Sequence, residues 1–374
     1  MKNLFPASEQ ISRIKNPLTW TQEKNKLFVE ACREMAEFHL AQSPDIQSLY
    51  AQKKFHPSHL QTLEDLVHLP SIGVQAMKYF LLLSQPESKS CLRLTSSGTN
   101  GQKTQIWFDE GSLQRVQAML DGLWDQFGLV STRPTNYLMM VYDPKSAEDL
   151  GIAFSIRNQQ RFAPKKSEFF ALQKNSSTQW EFMIDGCIET LLKYSHEGLP
   201  VRICGIPSFI HDLTVAMKAP ISLPAGSYIL TGGGWKAAEG KKISKEQFRK
   251  ELSEKLGIPE ENIRDGYGMA EHSAPYMECT HHRFHIPVYN RILVRDPETM
   301  HALPCGRIGL LELITPFNTM MPNLSVLSTD LGYIDTEPCP CGLTSDTFTL
   351  VGRGGLVKHK GCAITAAELT KKET

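Results

Sequence analysis

The chain has 374 residues, 41% of them hydrophobic and 21% charged, which suits one large folded domain or two ordinary ones and argues against disorder. Forty Lys and Arg balance forty Asp and Glu, so the formal net charge is zero, which argues against a broad basic surface for nucleic acid. No stretch approaches the roughly 18 apolar residues that span a bilayer, and the first sixteen hold no signal-peptide run. A cytoplasmic setting follows, in which nine cysteines read as core residues, metal ligands or a nucleophile rather than disulfides.

Residues 21–90 carry a helical pattern, with Leu27, Phe28, Ala31, Met35 and Phe38 recurring at helical spacing. Thr62 is placed to cap a short helix ending before Pro70. Cys32, Cys91, Cys187 and Cys204 read as packed or half-buried residues. After Cys91 the pattern alternates. Short apolar runs at 104–108, 136–142, 201–205, 227–231 and 308–315 suit buried strands. Helical segments at 112–126, 185–196 and 244–256 lie between some of them. This alternation predicts an α/β layer structure with a largely parallel sheet. Residues 285–350, rich in turns and short strands, read as a smaller β-rich subdomain, and the segment from about 352 opens on a flexible Gly-Arg-Gly-Gly.

The loop after Leu94 is the most informative stretch. Gly98 and Gly101 let backbone N–H groups curl inward as an anion nest, and Thr95, Ser96, Ser97 and Thr99 add hydroxyl donors. No glycine precedes a lysine in the Walker A position, so this is not that loop. A polar hairpin turn is the competing reading. "TSSGTNGQKT" resembles the phosphate loop of adenylate-forming enzymes, with Asn100 in place of a threonine and Lys103-Thr104 in place of Pro-Lys. "RDGYGMAEH" (264–272) resembles the same superfamily's Tyr-Gly-x-Thr-Glu motif. The resemblance puts Tyr267 near adenine and Glu271 on Mg²⁺, which offsets triphosphate charge. Taken alone, that stretch reads as a strand-to-helix turn with a solvated Glu. "LTGGGWK" (230–236) offers, at Gly233, close backbone approach for a flat adenine, with Trp235 as a wall, or else a tight turn. The resemblance further implies that Asp330 meets the ribose hydroxyls of ATP and that Arg353 is the Gly-Arg element near the hinge.

Cys339 and Cys341, with Cys279 and one of His281, His282 and His285, offer soft donors for a closed tetrahedral zinc site. Similar cysteine elements occur in the phenylacetate–CoA ligase branch of the superfamily. The chosen set is Cys279, His285, Cys339 and Cys341, stapling the β-rich subdomain without activating water.

About twenty residues follow the Gly-rich hinge, where ordinary adenylate-forming enzymes continue for roughly a hundred. This remnant holds Cys362 among Lys358, His359 and Lys360, which favour its thiolate. Loop, length and terminal cysteine together resemble the acyl-protein synthetases of bacterial luciferase operons, the LuxE type. The resemblance implies an adenylate-forming (ANL-like) fold with a helical region at 1–90, a core at 91–350 and a short post-hinge segment at 351–374. It also implies activation of a fatty acid as acyl-AMP, transfer to Cys362, and delivery to a partner fatty acyl reductase, with an acyl transferase as a further partner. Two rivals stay open: a phenylacetate-type acid–CoA ligase, and an inactive zinc-stabilised nucleotide-binding protein.

Overall fold

The computed structural model describes residues 4–95, 104–145, 158–175, 179–235 and 242–354. The chain divides into two units, one of Met1–Gln126, Met269–Tyr276 and Arg283–Thr374, the other of Phe127–Gly268 and Met277–His282. Helices α1 (Pro6–Ser12), α2 (Gln22–Gln42), α3 (Pro44–Gln52), α4 (Ala76–Tyr79) and α5 (Glu110–Gln126) belong to the first unit. Helix α2 starts where the Thr21 hydroxyl accepts the Lys24 backbone N–H, a cap worth about 1 kcal/mol. It buries the face that carries Phe28, Ala31, Cys32 and Met35. Helix α1 docks on α2 through Glu34, which accepts the Ser8 backbone N–H at 3.0 Å and its hydroxyl at 2.7 Å. Arg115 of α5, 2% exposed, pairs with Glu9 at 2.6 Å and donates to the Phe317 carbonyl at 2.7 Å. A single buried cation thus ties three segments together. Residues Glu64–His68 form a 3₁₀ turn rather than an α-helix. Thr62 is not its cap: its backbone N–H and hydroxyl both donate to Asp65, at 2.7 and 3.1 Å, because the carboxylate is the stronger acceptor.

Strand β1 (Ile72–Gly73) is followed by the antiparallel hairpin of β2 (Leu92–Thr95) and β3 (Gln105–Phe108), in which Thr95 faces Gln105. The second unit then supplies β4 (Thr135–Tyr142), β5 (Lys165–Lys174), β6 (Trp180–Phe182), α6 (Ile184–Glu197), β7 (Val201–Gly205), α7 (Pro207–Ala216), β8 (Tyr228–Gly232), α8 (Lys245–Leu256) and β9 (Ile263–Tyr267). With β10 (Tyr276–Met277) the sheet runs β10-β9-β8-β7-β4-β5-β6. Neighbours from β9 through β5 are parallel, and β6 turns back on β5. The apolar runs read as β4, β7 and β8 are buried there, as strands covered on both faces require. Strand β5 has only the short apolar run Phe169, Phe170, Ala171 and Leu172 between polar ends, so its place comes from pairing with β4.

The chain returns to the first unit for β11 (Phe284–His285), β12 (Arg291–Arg295), β13 (Gly309–Ile314), β14 (Ser325–Ile334) and β15 (Thr347–Arg353). They form an antiparallel sheet in the order β11-β15-β14-β13-β12, to which β1 adds in parallel on β14. Every residue of β13 is buried. Its one acid, Glu312, receives the Arg295 guanidinium and, at 2.6 Å, the Ser325 hydroxyl. Burying a carboxylate is tolerated only with such partners. Among the described residues no helix is long and apolar enough to cross a membrane.

Candidate functional site

In the second unit the strand order places β5 on one side of β4 and β7, β8 and β9 on the other. The connections therefore run first to one side of β4 and then to the other, which makes a topological switch point between β4 and β7. In open parallel sheets ligands bind beyond the carboxyl ends of the strands near such a point. Gly205 closes β7 at that point with φ 146°; a Cβ there would stand 2.4 Å from the Met140 carbonyl oxygen. Pro207 then begins α7 at a position where its missing N–H costs nothing. Farther along the same edge, β8 ends in Gly232, followed by Gly233 and Gly234 at φ 78° and 65°. Those values favour glycine, and they curl the backbone at the strand end. Tyr267 closes the neighbouring β9, half-buried, one residue beyond the Gly232–Gly266 pair. The two strand ends named from sequence are therefore adjacent. Trp235 is different. It is 8% exposed and packs its ring on Phe248 and His211, so it belongs to the core and is no wall of an open cleft.

In the first unit Thr95 ends the outgoing strand of the β2–β3 hairpin, so the Gly/Ser loop springs from paired strands. Ser96, Ser97, Gly98, Thr99 and Gly101 lie outside the described residues, as does Cys362. Glu271 sits in a run of turns with no helix, and it is 7% exposed rather than solvated. Its carbonyl accepts the Asn323 side-chain N–H at 2.8 Å. The next residue, His272, is fully buried and stacks on Tyr276, with Nε2 2.9 Å from the tyrosine hydroxyl. Burial pushes its imidazole down to about 3, so it is neutral at ordinary pH. Asp330 and Arg353 face each other across β14 and β15, and the guanidinium Nε donates to the carboxylate at 3.2 Å. Two residues named 23 positions apart are thus one pair.

Within the first unit the donor atoms of His285, Cys339 and Cys341 all lie within 4.8 Å of one another. Cys341 Sγ is 3.2 Å from His285 Nε2. The edge of a zinc tetrahedron with one thiolate and one imidazole is about 3.6 Å, so small adjustments would admit the ion. His285 is fully buried, and its other ring nitrogen lies 2.8 Å from the Ser345 hydroxyl, which leaves Nε2 to the centre of the cluster. Burial lowers the imidazole to about 4, which favours the neutral form that ligates metal. The residues present fit a structural zinc ion. His281 and His282 are not in the group.

The other cysteines divide. Cys32, Cys187 and Cys204 are buried, with burial pushing Cys187 and Cys204 up to about 12, so they are inert core residues. Cys91, in contrast, is exposed, because it precedes β2 at the surface rather than packing in a core. None of the eight cysteines among the described residues is in a disulfide. A cluster that sequence reading missed joins Lys245, Asp265, Glu278 and Thr231 in the second unit. The only trace in the sequence is the acid Asp265 inside the tyrosine motif, and nothing there points to Lys245.

A solved structure of 2-hydroxyisobutyryl-CoA ligase, in an open conformation with 2-HIB-AMP and CoA, superposes with a TM-score of 0.65. It matches at 16% identity over 91% of this chain and 76% of that one. The fold is that of the adenylate-forming ligases. Two curated relatives are each named long-chain-fatty-acid–luciferin-component ligase. The one from Vibrio harveyi is 25% identical over 361 residues, covering 94% of this chain and 90% of its own. The one from Aliivibrio fischeri is 25% identical over 394 residues, covering 99% and 97%. The family described as "Acyl-protein synthetase, LuxE" matches residues 4–370, and the chain belongs to that family of ligases.

Proposed function

We propose that the chain activates a long-chain fatty acid with ATP as acyl-AMP, moves the acyl group to its own Cys362, and passes it to a partner fatty acyl reductase, with an acyl transferase as a further partner. The observation that carries this reading is the family match over residues 4–370, joined to relatives of similar length whose printed name is a fatty-acid ligase. The adjacent carboxyl ends of β8 and β9, with Gly233 and Tyr267, support it as an adenine shelf.

In this reading Thr95, Ser96, Ser97, Gly98, Thr99 and Gly101 hold the phosphates through hydroxyls and backbone N–H groups. Asp330 takes the ribose hydroxyls while Arg353, now its ion-pair partner, turns to the nucleotide. Glu271, a single carboxylate, suits Mg²⁺, which typically takes one or two protein carboxylates plus substrate phosphate oxygens and offsets their charge. A fatty-acid carboxylate oxygen attacks the α-phosphorus, the bond to the bridging oxygen breaks, and pyrophosphate leaves. The Cys362 thiolate then attacks the acyl carbonyl, forming a thioester and releasing AMP. The acyl chain lies near the switch point between β4 and β7, beside the Gly205–Phe209 stretch. Cys279, His285, Cys339 and Cys341 hold a zinc ion with a structural role. The thiol chemistry requires a reducing compartment, for which we propose the cytoplasm.

The test is intact-mass analysis after incubation with ATP and a labelled long-chain fatty acid. The wild-type chain gains one acyl mass, while Cys362→Ser exchanges pyrophosphate but keeps no label. Undiminished label in that variant defeats the assignment of Cys362. Absence of ATP–pyrophosphate exchange in the wild type defeats adenylation.

A further inference from the structure

Four side chains of the second unit meet at the carboxyl ends of β8 and β9. Lys245 Nζ lies 2.8 Å from an oxygen of Asp265 and 2.8 Å from an oxygen of Glu278. The other Asp265 oxygen accepts the Thr231 hydroxyl at 2.8 Å. The other Glu278 oxygen accepts the Asp265 backbone N–H at 2.8 Å, and the Glu278 N–H returns to the Asp265 carbonyl at 3.0 Å. Thr231 is the second-last residue of β8, two before Gly233. Asp265 is two before Tyr267 on β9. Lys245 is the first residue of α8, whose start is fixed by the Ser244 hydroxyl accepting the Gln247 N–H. Glu278 lies on the returning segment that follows β10.

We propose that Lys245 is a positioning residue for nucleotide. Through Asp265 it fixes the spacing between the glycine turn at Gly233 and the ring of Tyr267. The inference rests on the adenylation reading above and adds a residue to it. The physical reason is geometric and electrostatic. The β8–β9 ladder ends at the pair Gly232–Gly266, and Thr231 and Asp265 are the pair just before it. Asp265 braces that last part of the ladder, gripping its partner Thr231 with one oxygen and Lys245 with the other, so the bracket sets the backbone from which Gly233 and Tyr267 continue. Lys245 in turn is anchored on Glu278, whose side chain is only 3% exposed. The lysine side chain is itself 52% exposed, so an isolated surface pair at this point would hold little. The buried glutamate and its two backbone hydrogen bonds make it a bracket.

A role confined to stability and a role in positioning differ in what they move. Lys245→Met removes the cation but keeps most of the stem. In ATP–pyrophosphate exchange it is expected to raise the KM for ATP about tenfold while kcat stays within about threefold, and Lys245→Arg should recover most of the loss. In nucleotide-free protein, hydrogen–deuterium exchange should speed up in peptides covering 228–235 and 263–268 and stay unchanged across β4 and α6. Asp265→Asn is the second variant, and the same two peptides should respond. A KM for ATP within about twofold of wild type in folded Lys245→Met overturns the proposal, as does unchanged exchange in those peptides. If the wild-type chain performs no pyrophosphate exchange, the adenylation reading fails, and the deuterium measurement still decides whether the bracket exists.

Discussion

At the scale of single residues, the chemistry assigned to the chain depends on a few side chains held in fixed surroundings. Glu271 is 7% exposed in a turn whose next residue, His272, stacks on Tyr276. Glu271→Gln keeps the shape and removes the charge. ATP–pyrophosphate exchange should fall about 100-fold, with melting temperature little changed, since the lost term is charge at the phosphates. The cysteine–histidine group makes a separate claim. Cys339→Ser should lose about one equivalent of zinc by elemental mass spectrometry, and a chelator should lower the melting temperature of the wild type more than that of the variant. Equal metal content in both proteins would sink the zinc assignment. These residues could be named as candidate ligands from the sequence because thiols in Cys-x-Cys spacing and an imidazole are soft donors of the kind zinc takes. Lys245 was not legible: a lysine at a helix start is ordinary, and its meaning comes from two acids brought to it by β9 and the segment after β10.

At the scale of elements, continuous apolar runs marked β4, β7, β8 and β13 because each is covered on both faces or wholly buried. Strand β5 escaped for the opposite reason, its ends being lysines and its pairing non-local. Residues 64–68 held a 3₁₀ turn where a helix was expected, because Asp65 draws Gln61 and Thr62 into its own hydrogen bonds. The junction of β7 and α7 has the tightest tolerance near the site. Gly205→Ala combines a φ of 146° with a Cβ 2.4 Å from a backbone oxygen, so roughly 3 kcal/mol of stability should be lost in urea unfolding. A loss under about 0.5 kcal/mol would show that β4 and β7 can part without cost, which close packing forbids.

At the scale of the whole molecule, buried neutral imidazoles set a dependence on acidity. Burial holds both His39 and His272 near 3, against an ordinary value of 6.5. Between those values the unfolded chain binds protons that the folded chain refuses. Stability is therefore fully present above about pH 6.5 and falls as pH drops toward 3, by about 1.4 kcal/mol per unit for each histidine. Urea midpoints at pH 7, 6 and 5 should decline accordingly. His272→Phe, which keeps a ring beside Tyr276, should flatten that decline by one histidine's share. A decline of the same slope in the variant would remove His272 from the account.

By itself the sequence determined the class of layers, and it named as candidates a glycine-and-hydroxyl loop, the motif carrying Tyr267 and Glu271, and a group of cysteines with a histidine for a metal. Those depend on residue type and local spacing, which the chain states directly. The tertiary structure alone decided that Asp330 faces Arg353, that Trp235 belongs to the core, that Cys91 is exposed, and that Lys245 brackets two strand ends. Each of those is a relation between segments distant along the chain, and strand register and burial, not composition, settle which of them meet.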